Sequence, residues 1–515
     1  MAILAGPFLK FCGATNAQWS VSILLITNAD SPPSISARSA NSPDAAVQKI
    51  YSFQNNYFWT CRVTAERTAA DRTVSYVCSV DGTSRIAEWV IPSTGTAPRM
   101  AYASCAGFHS PRDAQRYGAR RNERWQHLLK NHRHRLTDKT RASDGERPAH
   151  LLLMGGDQVY ADSIWSDRRE ASAFVDWNDA GQNEKTKFGS LMANQAERFY
   201  LSLYLRRWTE SEPAEAFASI PSLMMWDDHD IFDGWGSFPP ARHNCPVYQG
   251  IFQTAAKYFR LFQQHSNSLA AVPGLIKQPT GSDQHHSFGF NLGPVAIVAP
   301  DLRGSRTSTE ILGRENLDAV LAWIDALGAS EPPPKHLIVM LSLPIMYPSF
   351  ALLETGLHWF PGNQDLEDDV RDHWTSPRHR EERIRLIQRL LKFSDKTKCQ
   401  VTVVSGDVHV GAASTITANA GNGQATTVIH QLISSAMVNA PPPAAAMFFL
   451  NQFTRHTERI DDHIIGEMRT FSNTSQTFIP RRNWLSLETD SANRIWANLH
   501  VEEQSSPFVR VISPR

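Results

Sequence analysis

The pattern of apolar and polar positions differs between the two ends of the chain. Before residue 98, apolar residues come in short runs rich in β-branched and aromatic side chains, such as 19–26, 57–63 and 73–78, with polar turn-forming segments between them. Runs of this kind predict short antiparallel strands. We therefore expect residues 1–98 to form a small antiparallel β-sandwich domain.

After residue 98, two kinds of apolar stretch alternate. One recurs at helical spacing, as over 317–327, and stops at Gly328. The other is short and continuous, as in 295–299 and 336–341. Strands that alternate with helices are typical of an α/β fold with a layered sheet. We predict one such domain over residues 99–515.

Groups of polar, metal-binding side chains follow three of the predicted strands. Gly156-Asp157-Gln158-Val159-Tyr160 follows the apolar run 150–154, Trp226-Asp227-Asp228-His229-Asp230 follows 223–226, and Gly406-Asp407-Val408-His409 follows 401–404. Because ligands of α/β folds collect at the carboxyl ends of the strands, we expect the three groups to share one site. Carboxylate, phenolate and imidazole suit hard or borderline cations, which predicts a metal-assisted hydrolase.

Each group has a second interpretation. Asp157 with Tyr160 favours a trivalent, oxygen-loving metal such as Fe(III), but an N-capping Asp beside a packed Tyr fits equally well. The carboxylates around His229 repel one another unless a cation or a proton neutralises them; a helix N-terminus also tolerates acidic residues, but it does not require the histidine. Asp407 and His409 can chelate one ion, and their position after a third apolar strand favours that interpretation of an otherwise weak motif.

Composition excludes some classes of partner. The chain has 515 residues, 42% hydrophobic and 20% charged, as expected of a folded soluble protein with more than one core. Acidic and basic residues balance at 51 each, so we expect no stable complex with nucleic acid. No apolar run approaches the roughly 18 residues of a spanning helix.

The compartment is predicted from the start of the chain and from its cysteines. The first residues lack a basic region and twin arginines, so we expect no signal peptide. The six cysteines are scattered without a CxxC motif, which favours free thiols in a reducing compartment. We expect a cytoplasmic protein.

Taken in order, the motifs resemble those of the alkaline phosphatase D (PhoD-like) branch of the calcineurin-type metallophosphoesterases. Members carry a GD-x-x-Y block, a WDDH block and a GDxH block. They also carry a Ser-Cys pair after the first core strand and an Asp-x-Arg after a later strand, matched here by Ser104-Cys105 and Asp301-Leu302-Arg303. The resemblance implies a four-layer α-β-β-α sandwich preceded by an N-terminal β-sandwich, and it covers nearly the whole chain.

The resemblance also implies a binuclear or trinuclear metal centre. From the sequence alone, Cys105 would be a buried thiol, whereas the resemblance makes its thiolate a ligand of Fe(III) together with Tyr160. Asp157 corresponds to the carboxylate that bridges the metals, and His409 is expected on the iron side. The complete set of implied metal ligands is Cys105, Asp157, Tyr160, Asp228, Asp407 and His409.

The chain departs from the wider superfamily at the second metal. The usual His-x-Pro is absent from Leu341-Ser342-Leu343-Pro344, and Asp407 replaces a histidine. A site so rich in oxygen favours Ca²⁺, Mn²⁺ or Mg²⁺ over Zn²⁺. The motif at 156–162 reads Gly-Asp-Gln-Val-Tyr-Ala-Asp, where the common form is closer to Gly-Asp-Tyr-Ile-Tyr-Glu, which places the chain in an outlying subgroup.

The expected reaction is hydrolysis of a small or oligomeric phosphate ester, by phosphatase or phosphodiesterase action, with in-line attack of a metal-bound hydroxide on phosphorus. His229 resembles the catalytic histidine, with Asp230 or Asp227 as its orienting partner, and would stabilise charge or protonate the leaving oxygen. Arg303 either clamps the phosphate or pairs with Asp301. The alternative function is a metal-stabilised, non-catalytic scaffold that binds a partner.

One basic segment does not belong to these motifs. Residues 112–141 are rich in Lys and Arg around Trp125, Leu128 and Leu129. They predict either a helix with a solvated charged face or a lid whose positive charge attracts an anionic substrate.

Overall fold

The protein has a mixed α/β fold with two large β-sheets. The computed structural model describes residues 2–38, 46–137, 148–278, 285–348, 374–418, 427–453 and 456–515. Its strands are β1 (Ile3–Ala14), β2 (Gln18–Thr27), β3 (Ser34–Arg38), β4 (Gln48–Phe53), β5 (Asn56–Glu66), β6 (Arg72–Val80), β7 (Thr83–Ile91), β8 (Met100–Ala103), β9 (Leu151–Gly155), β10 (Ser222–Met225), β11 (Phe288–Asn291), β12 (Val295–Ala299), β13 (His336–Leu341), β14 (Gln400–Ser405), β15 (Gly411–Ala418), β16 (Thr427–Ser434), β17 (Thr457–Arg459), β18 (Ile464–Arg469), β19 (Phe478–Ile479), β20 (Asn483–Thr489), β21 (Ile495–Val501) and β22 (Phe508–Ile512).

The helices lie mostly between the strands of the second part of the chain. Within the described residues they are α1 (Pro111–Tyr117), α2 (Glu123–Thr137), α3 (Arg168–Asp179), α4 (Ser190–Trp208), α5 (Ser211–Ser219), α6 (Pro240–His243), α7 (Pro246–Phe262), α8 (Arg314–Leu327), α9 (Arg380–Thr397) and α10 (Ala444–Phe453). Among the residues described, none of these helices combines the length and the apolar character that crossing a membrane requires.

The first large sheet has ten strands in the order β22-β21-β20-β8-β9-β10-β1-β2-β5-β4. Alternate side chains of its central strand β9 point to opposite faces, as the pleat requires. Leu151 and Leu153 belong to a core that includes the strands of the second sheet. Leu152 and Met154 belong to a second core, built with side chains of α4, α5 and α7.

The second sheet has nine strands, eight of them in the order β11-β12-β13-β14-β16-β15-β18-β17, and β19 pairs with β15. Leu317 of α8 and Leu386 of α9 are buried in the core with its strands. The strands β12, β13 and β14 run parallel, as do β8, β9 and β10 of the first sheet. Each sheet therefore brings several carboxyl ends to one edge, and this places the site.

The first 98 residues do not form a separate sandwich. Lys10 of β1 pairs in parallel with Ser222 of β10, so β1, β2, β4 and β5 extend the ten-stranded sheet. The strands β3, β6 and β7 form a small antiparallel sheet, and Val74 and Trp89 from it are buried in the same core as Val21. The expectation of a self-contained N-terminal sandwich is therefore corrected. The pairing of β1 with β10 crosses the predicted boundary at residue 98, so most of these strands belong to the same sheet as later ones.

The described part of the basic segment is helical, and several of its charged side chains form ion pairs. Trp125 and Leu128 of α2 are buried. Arg120 lies 3.1 Å from Glu123, and Arg121 lies 2.8 Å from Glu210. This fits the interpretation as a helix with a solvated charged face; the last residues of the segment, from 138 on, lie outside the described ones.

Candidate metal centre

Four turns that follow parallel strands carry the predicted ligands. Cys105, Asp157 and Asp407 each come two residues after the end of a strand, β8, β9 and β14 respectively. Their φ angles are 54°, 59° and 70°, and that of His409 is 52°. Non-glycine residues rarely adopt this left-handed conformation, which concentrates at functional sites. The turns therefore hold these side chains in strained but defined positions.

Cys105 and Asp157 lie together in the interior. Cys105 Sγ lies 3.5 Å from Asp157 Oδ2 and 3.1 Å from Ser435 Oγ, which follows β16 in the second sheet. The two residues are 1% and 2% exposed. Burial raises the pKa of the Cys105 thiol, and the carboxylate of Asp157 raises it further. A cation would reverse that balance, since a metal favours the thiolate.

Asp157 has one oxygen that fits a cation. Its Oδ1 atom is buried and receives no hydrogen bond from the described residues. Burial raises the pKa of this carboxyl well above its usual range. A buried carboxylate oxygen without a donor costs free energy unless a proton or a metal satisfies it. The ligand atoms of Asp157, Asp228 and His229 lie within 4.8 Å of one another, so they could hold one ion.

Tyr160 and His409 meet through a residue that the sequence did not single out. Asn439 Nδ2 donates to the Tyr160 hydroxyl at 3.1 Å and lies 3.4 Å from His409 Nε2. Burial lowers the pKa of His409 to about 3, so the imidazole stays neutral, the form that binds a metal. Burial, followed by the charge of Cys105, raises the pKa of Tyr160 well above its usual range.

Asp228 and Asp407 complete the group from two sides. Asp228 Oδ2 accepts a hydrogen bond from the Gly234 N–H at 2.9 Å. The backbone oxygen of Asp407 lies 4.0 Å from Cys105 Sγ, and the charge of Asp407 contributes to the raised pKa of that thiol. The structure thus brings five predicted ligands together where the turns of the two sheets meet, and it places the backbone of the sixth, Asp407, beside Cys105.

His229 has a different partner from the expected one. Its Nδ1 atom lies 2.9 Å from Asp162 Oδ2. Asp230 is 1% exposed and accepts hydrogen bonds from the backbone N–H groups of Asp157 at 2.8 Å and Asp227 at 3.0 Å. The expectation that Asp230 or Asp227 orients His229 is wrong, because Asp230 is engaged in joining the turns after β9 and β10.

Comparison with known proteins identifies the family. The family model described as "PhoD related phosphatase" matches residues 137–361 and 350–460, which is more than half of the chain. The chain belongs to the PhoD related phosphatase family. The uncharacterized protein YGR266W of Saccharomyces cerevisiae is 26% identical over 478 residues, which cover 79% of this chain and 66% of that relative.

The fold is similar to that of a solved PhoD. The structure titled "Structure of PhoD" matches with a TM-score of 0.55 and 13% identity, covering 100% of this chain and 90% of that one. At this identity the likeness concerns the fold alone. It agrees with the mixed α/β architecture and with membership of the PhoD related family.

The side chain of Arg303 pairs with two carboxylates of the turn after β10. Its side chain is fully buried and forms ion pairs with Asp227 and, at 3.4 Å, with Asp228. Asp301 instead accepts from the Trp226 indole at 2.7 Å and from the Arg303 backbone N–H at 3.0 Å. The guanidinium of this PhoD related protein therefore fixes the turn that carries Asp228, and its expected role as a phosphate clamp stays a prediction.

Three residues near the centre were missed in the sequence, and only one of them carried a signal. Asp162 stands two positions after Tyr160 in Gly-Asp-Gln-Val-Tyr-Ala-Asp, and that second acid could have suggested a partner for a histidine. Asn439 follows β16 without any motif around it. His109, whose Nδ1 atom lies 3.7 Å from Asp162 Oδ2, follows the Ser-Cys pair on a loop and carried no signal of its own.

Proposed function

We propose that this protein hydrolyses phosphate esters at a metal centre. The proposed ligands are Cys105, Asp157, Tyr160, Asp228, Asp407 and His409. The observation that carries the proposal is the convergence of these side chains with the unsatisfied Oδ1 of Asp157 at the meeting edge of two sheets. Membership of the PhoD related phosphatase family supports the same reaction class.

The donor types suggest different ions at the two ends of the centre. Cys105, Tyr160 and His409 offer sulfur, phenolate and imidazole, which suit Fe(III). Asp228 and Asp407 offer carboxylate oxygen, which suits Ca²⁺, Mn²⁺ or Mg²⁺. When bound, such ions supply Lewis acidity that lowers the pKa of a coordinated water toward neutrality.

His229 is proposed to deliver a proton to the leaving oxygen of the ester. Its Nδ1 atom is held by Asp162, so Nε2 is the nitrogen left to face a substrate. The carboxylate charges of Asp162, Asp228 and Asp157 outweigh the effect of burial and raise the pKa of His229. The ring also stacks on Tyr160, with centroids 4.4 Å apart and planes at 25°. Orientation of this kind is what general acid catalysis requires.

The proposal also includes the layer order of the fold and the cellular compartment of the protein. Two cores on opposite faces of the first sheet, one shared with the second sheet and its helices, support a four-layer α-β-β-α order. The six cysteines all lie among the described residues, are buried and form no disulfide, which suits a reducing compartment such as the cytoplasm. We propose a small or oligomeric phosphate ester from such a compartment as the substrate.

The test is hydrolysis by protein purified without chelator. A chromogenic phosphodiester and its monoester are compared, each with and without added Ca²⁺ or Mn²⁺, using wild type and Asp157→Asn. Metal-dependent turnover in the wild type, with a loss of at least about 10³-fold in the variant, is expected, equivalent to about 4 kcal/mol. Equal activity of a fully metal-loaded variant would contradict the role of Asp157. Absence of turnover by metal-loaded wild type on both esters would favour the scaffold.

The iron assignment has a spectroscopic test. A phenolate on Fe(III) gives visible absorption, so wild type is expected to be coloured and Tyr160→Phe to lose that band. Tyr204→Phe is the control, because Tyr204 is also fully buried and accepts a hydrogen bond from Gln263 at 2.9 Å. A band that survives in Tyr160→Phe would exclude the phenolate as a ligand.

A further inference from the structure

A second group of donor atoms lies outside the proposed ligand set. His109, Asp162 and His229 each offer one ligand atom, and these atoms all lie within 4.8 Å of one another. Asp162 Oδ2 is central, because it lies 2.9 Å from His229 Nδ1 and 3.7 Å from His109 Nδ1. His109 lies in the loop after β8, whereas Asp162 and His229 lie in short 3₁₀ helices after β9 and β10. We call them the outer cluster.

The spacing of the outer cluster is close to that of a tetrahedral metal site. Zn²⁺ binds imidazole nitrogen and carboxylate oxygen at about 2.0–2.2 Å, which places neighbouring ligand atoms about 3.3 Å apart. The two distances from Asp162 Oδ2 lie on either side of that value. A small movement of His109 toward the other two would give three of the four ligands of such a site.

The donor types separate the outer cluster from the proposed centre. Two imidazoles and one carboxylate suit Zn²⁺ or Co²⁺, whereas Ca²⁺ and Mg²⁺ prefer oxygen alone. The outer cluster is also more accessible. The side chains of His109, Asp162 and His229 are 40%, 17% and 13% exposed, whereas Cys105 and Asp157 are nearly inaccessible.

Asp233 fixes the carboxylate of the outer cluster. Its backbone N–H donates to Asp162 Oδ1 at 2.8 Å, which fixes the Asp162 carboxylate. A water can supply the fourth ligand of a tetrahedral site.

We infer that the outer cluster binds a divalent transition ion of the Zn²⁺ class and that this ion inhibits the proposed hydrolysis. An ion held there replaces the proton between Nδ1 of His229 and Asp162, so the imidazole can no longer become the doubly protonated acid that the proposed mechanism uses. The binding itself does not depend on the proposed function, whereas the inhibition rests on it. The site would couple the availability of zinc to the activity.

The experiment counts ions and measures hydrolysis on the same preparations. Zn²⁺ is titrated into wild type, His109→Gln and the control His463→Gln, a matched change at an exposed histidine outside both metal groups. Each protein retains the metals with which it was purified. Bound zinc is counted by equilibrium dialysis, and Co²⁺ replaces Zn²⁺ to report tetrahedral coordination through its visible absorption.

The expected result is one more Zn²⁺ per chain in wild type and His463→Gln than in His109→Gln. Zinc should also inhibit these two proteins at a concentration at least about tenfold lower than the concentration that inhibits His109→Gln. Equal zinc counts in wild type and His109→Gln would overturn the inference, as would an extra ion that leaves measurable hydrolysis unchanged. If no ester is hydrolysed by any of the proteins, the proposed function fails, while the zinc count and the Co²⁺ spectrum still decide whether the site exists.

Discussion

The Nδ1 atom of His229 lies 2.9 Å from Oδ2 of Asp162. This contact joins the loop after β10 to the loop after β9, five residues beyond Asp157. The Asp162 carboxylate carries a second restraint, because its Oδ1 accepts the N–H of Asp233 at 2.8 Å. A carboxylate fixed at both oxygens can hold an imidazole in one orientation and one tautomer.

Asp162→Asn is expected to lower kcat by about 100-fold while metal content stays unchanged, because His229 loses its orienting charge. The charge of Asp162 raises the pKa of His229, so the protonated ring should be lost at a lower pH in the variant. The alkaline limb of the rate profile is therefore expected to move to lower pH. Asp176→Asn, at a surface position 68% exposed, is the matched control and should behave as wild type. An unchanged pH profile in Asp162→Asn would contradict this role.

Gly107→Ala tests the position of Tyr160. A methyl group at Gly107 would overlap the Tyr160 ring, so the ring must move. A displacement of this size at a proposed metal ligand should lower kcat/KM by about 10- to 100-fold, while overpacking costs about 1–3 kcal/mol of stability. Gly189→Ala is the control, because nothing lies within 4 Å of its added methyl group. It replaces the N-cap of α4 and should cost about 1 kcal/mol without loss of activity.

Part of this arrangement was predictable from short stretches of sequence. Asp157 and Asp407 each follow a buried strand and a glycine, so local pattern alone brings them to the sheet edge. The partner of His229 was not predictable in that way, because three neighbouring acids were equally close in sequence and only the packed loops favour Asp162. The ion pair of Arg303 with Asp227 was not predictable for a related reason, because it joins residues 76 positions apart.

The N-terminal strands show that local sequence pattern is also insufficient to predict part of the fold. The runs at 19–26 and 57–63 are correctly predicted as antiparallel strands, β2 and β5. Their membership of the ten-stranded sheet depends on the pairing of Lys10 with Ser222. In β5, buried Trp59, Cys61 and Val63 alternate with the less buried polar residues Thr60, Arg62 and Thr64, a pattern that a sandwich and a sheet with one covered face produce alike. Contacts between residues far apart in the chain decide between these two arrangements.

Removal of the metals is expected to destabilise wild type more than Asp157→Asn. Burial raises the pKa of Asp157, so its carboxylate at pH 7 weakens the metal-free fold, and a bound cation offsets that cost. An ion at 100 times its Kd adds about 2.7 kcal/mol. We expect chelator to lower the Tm of wild type and to leave that of the variant nearly unchanged. Thermal unfolding of both proteins with and without chelator at pH 7 measures this; equal shifts would argue against Asp157 as a ligand.

Acid is expected to destabilise the protein through His150, which is fully buried just before β9 and accepts the Arg99 N–H at 3.0 Å. Burial lowers its pKa to about 4, whereas an unfolded chain has about 6.5. Between these values only the unfolded chain binds the proton, so this stabilisation is complete above pH 6.5 and declines as the pH falls toward 4. From pH 7 to pH 5 the loss from this group is about 2 kcal/mol.

His150→Asn keeps an acceptor for the Arg99 N–H but cannot take up the proton. Urea denaturation at pH 7 and pH 5 should therefore show a smaller decrease in the free energy of unfolding for this variant than for wild type, by about 2 kcal/mol. His463→Asn changes an exposed histidine and should leave the decrease as it is in wild type. If His150→Asn and His463→Asn lose the same stability on acidification, His150 takes up its proton equally in both states and the buried imidazole is not what makes the fold acid-sensitive.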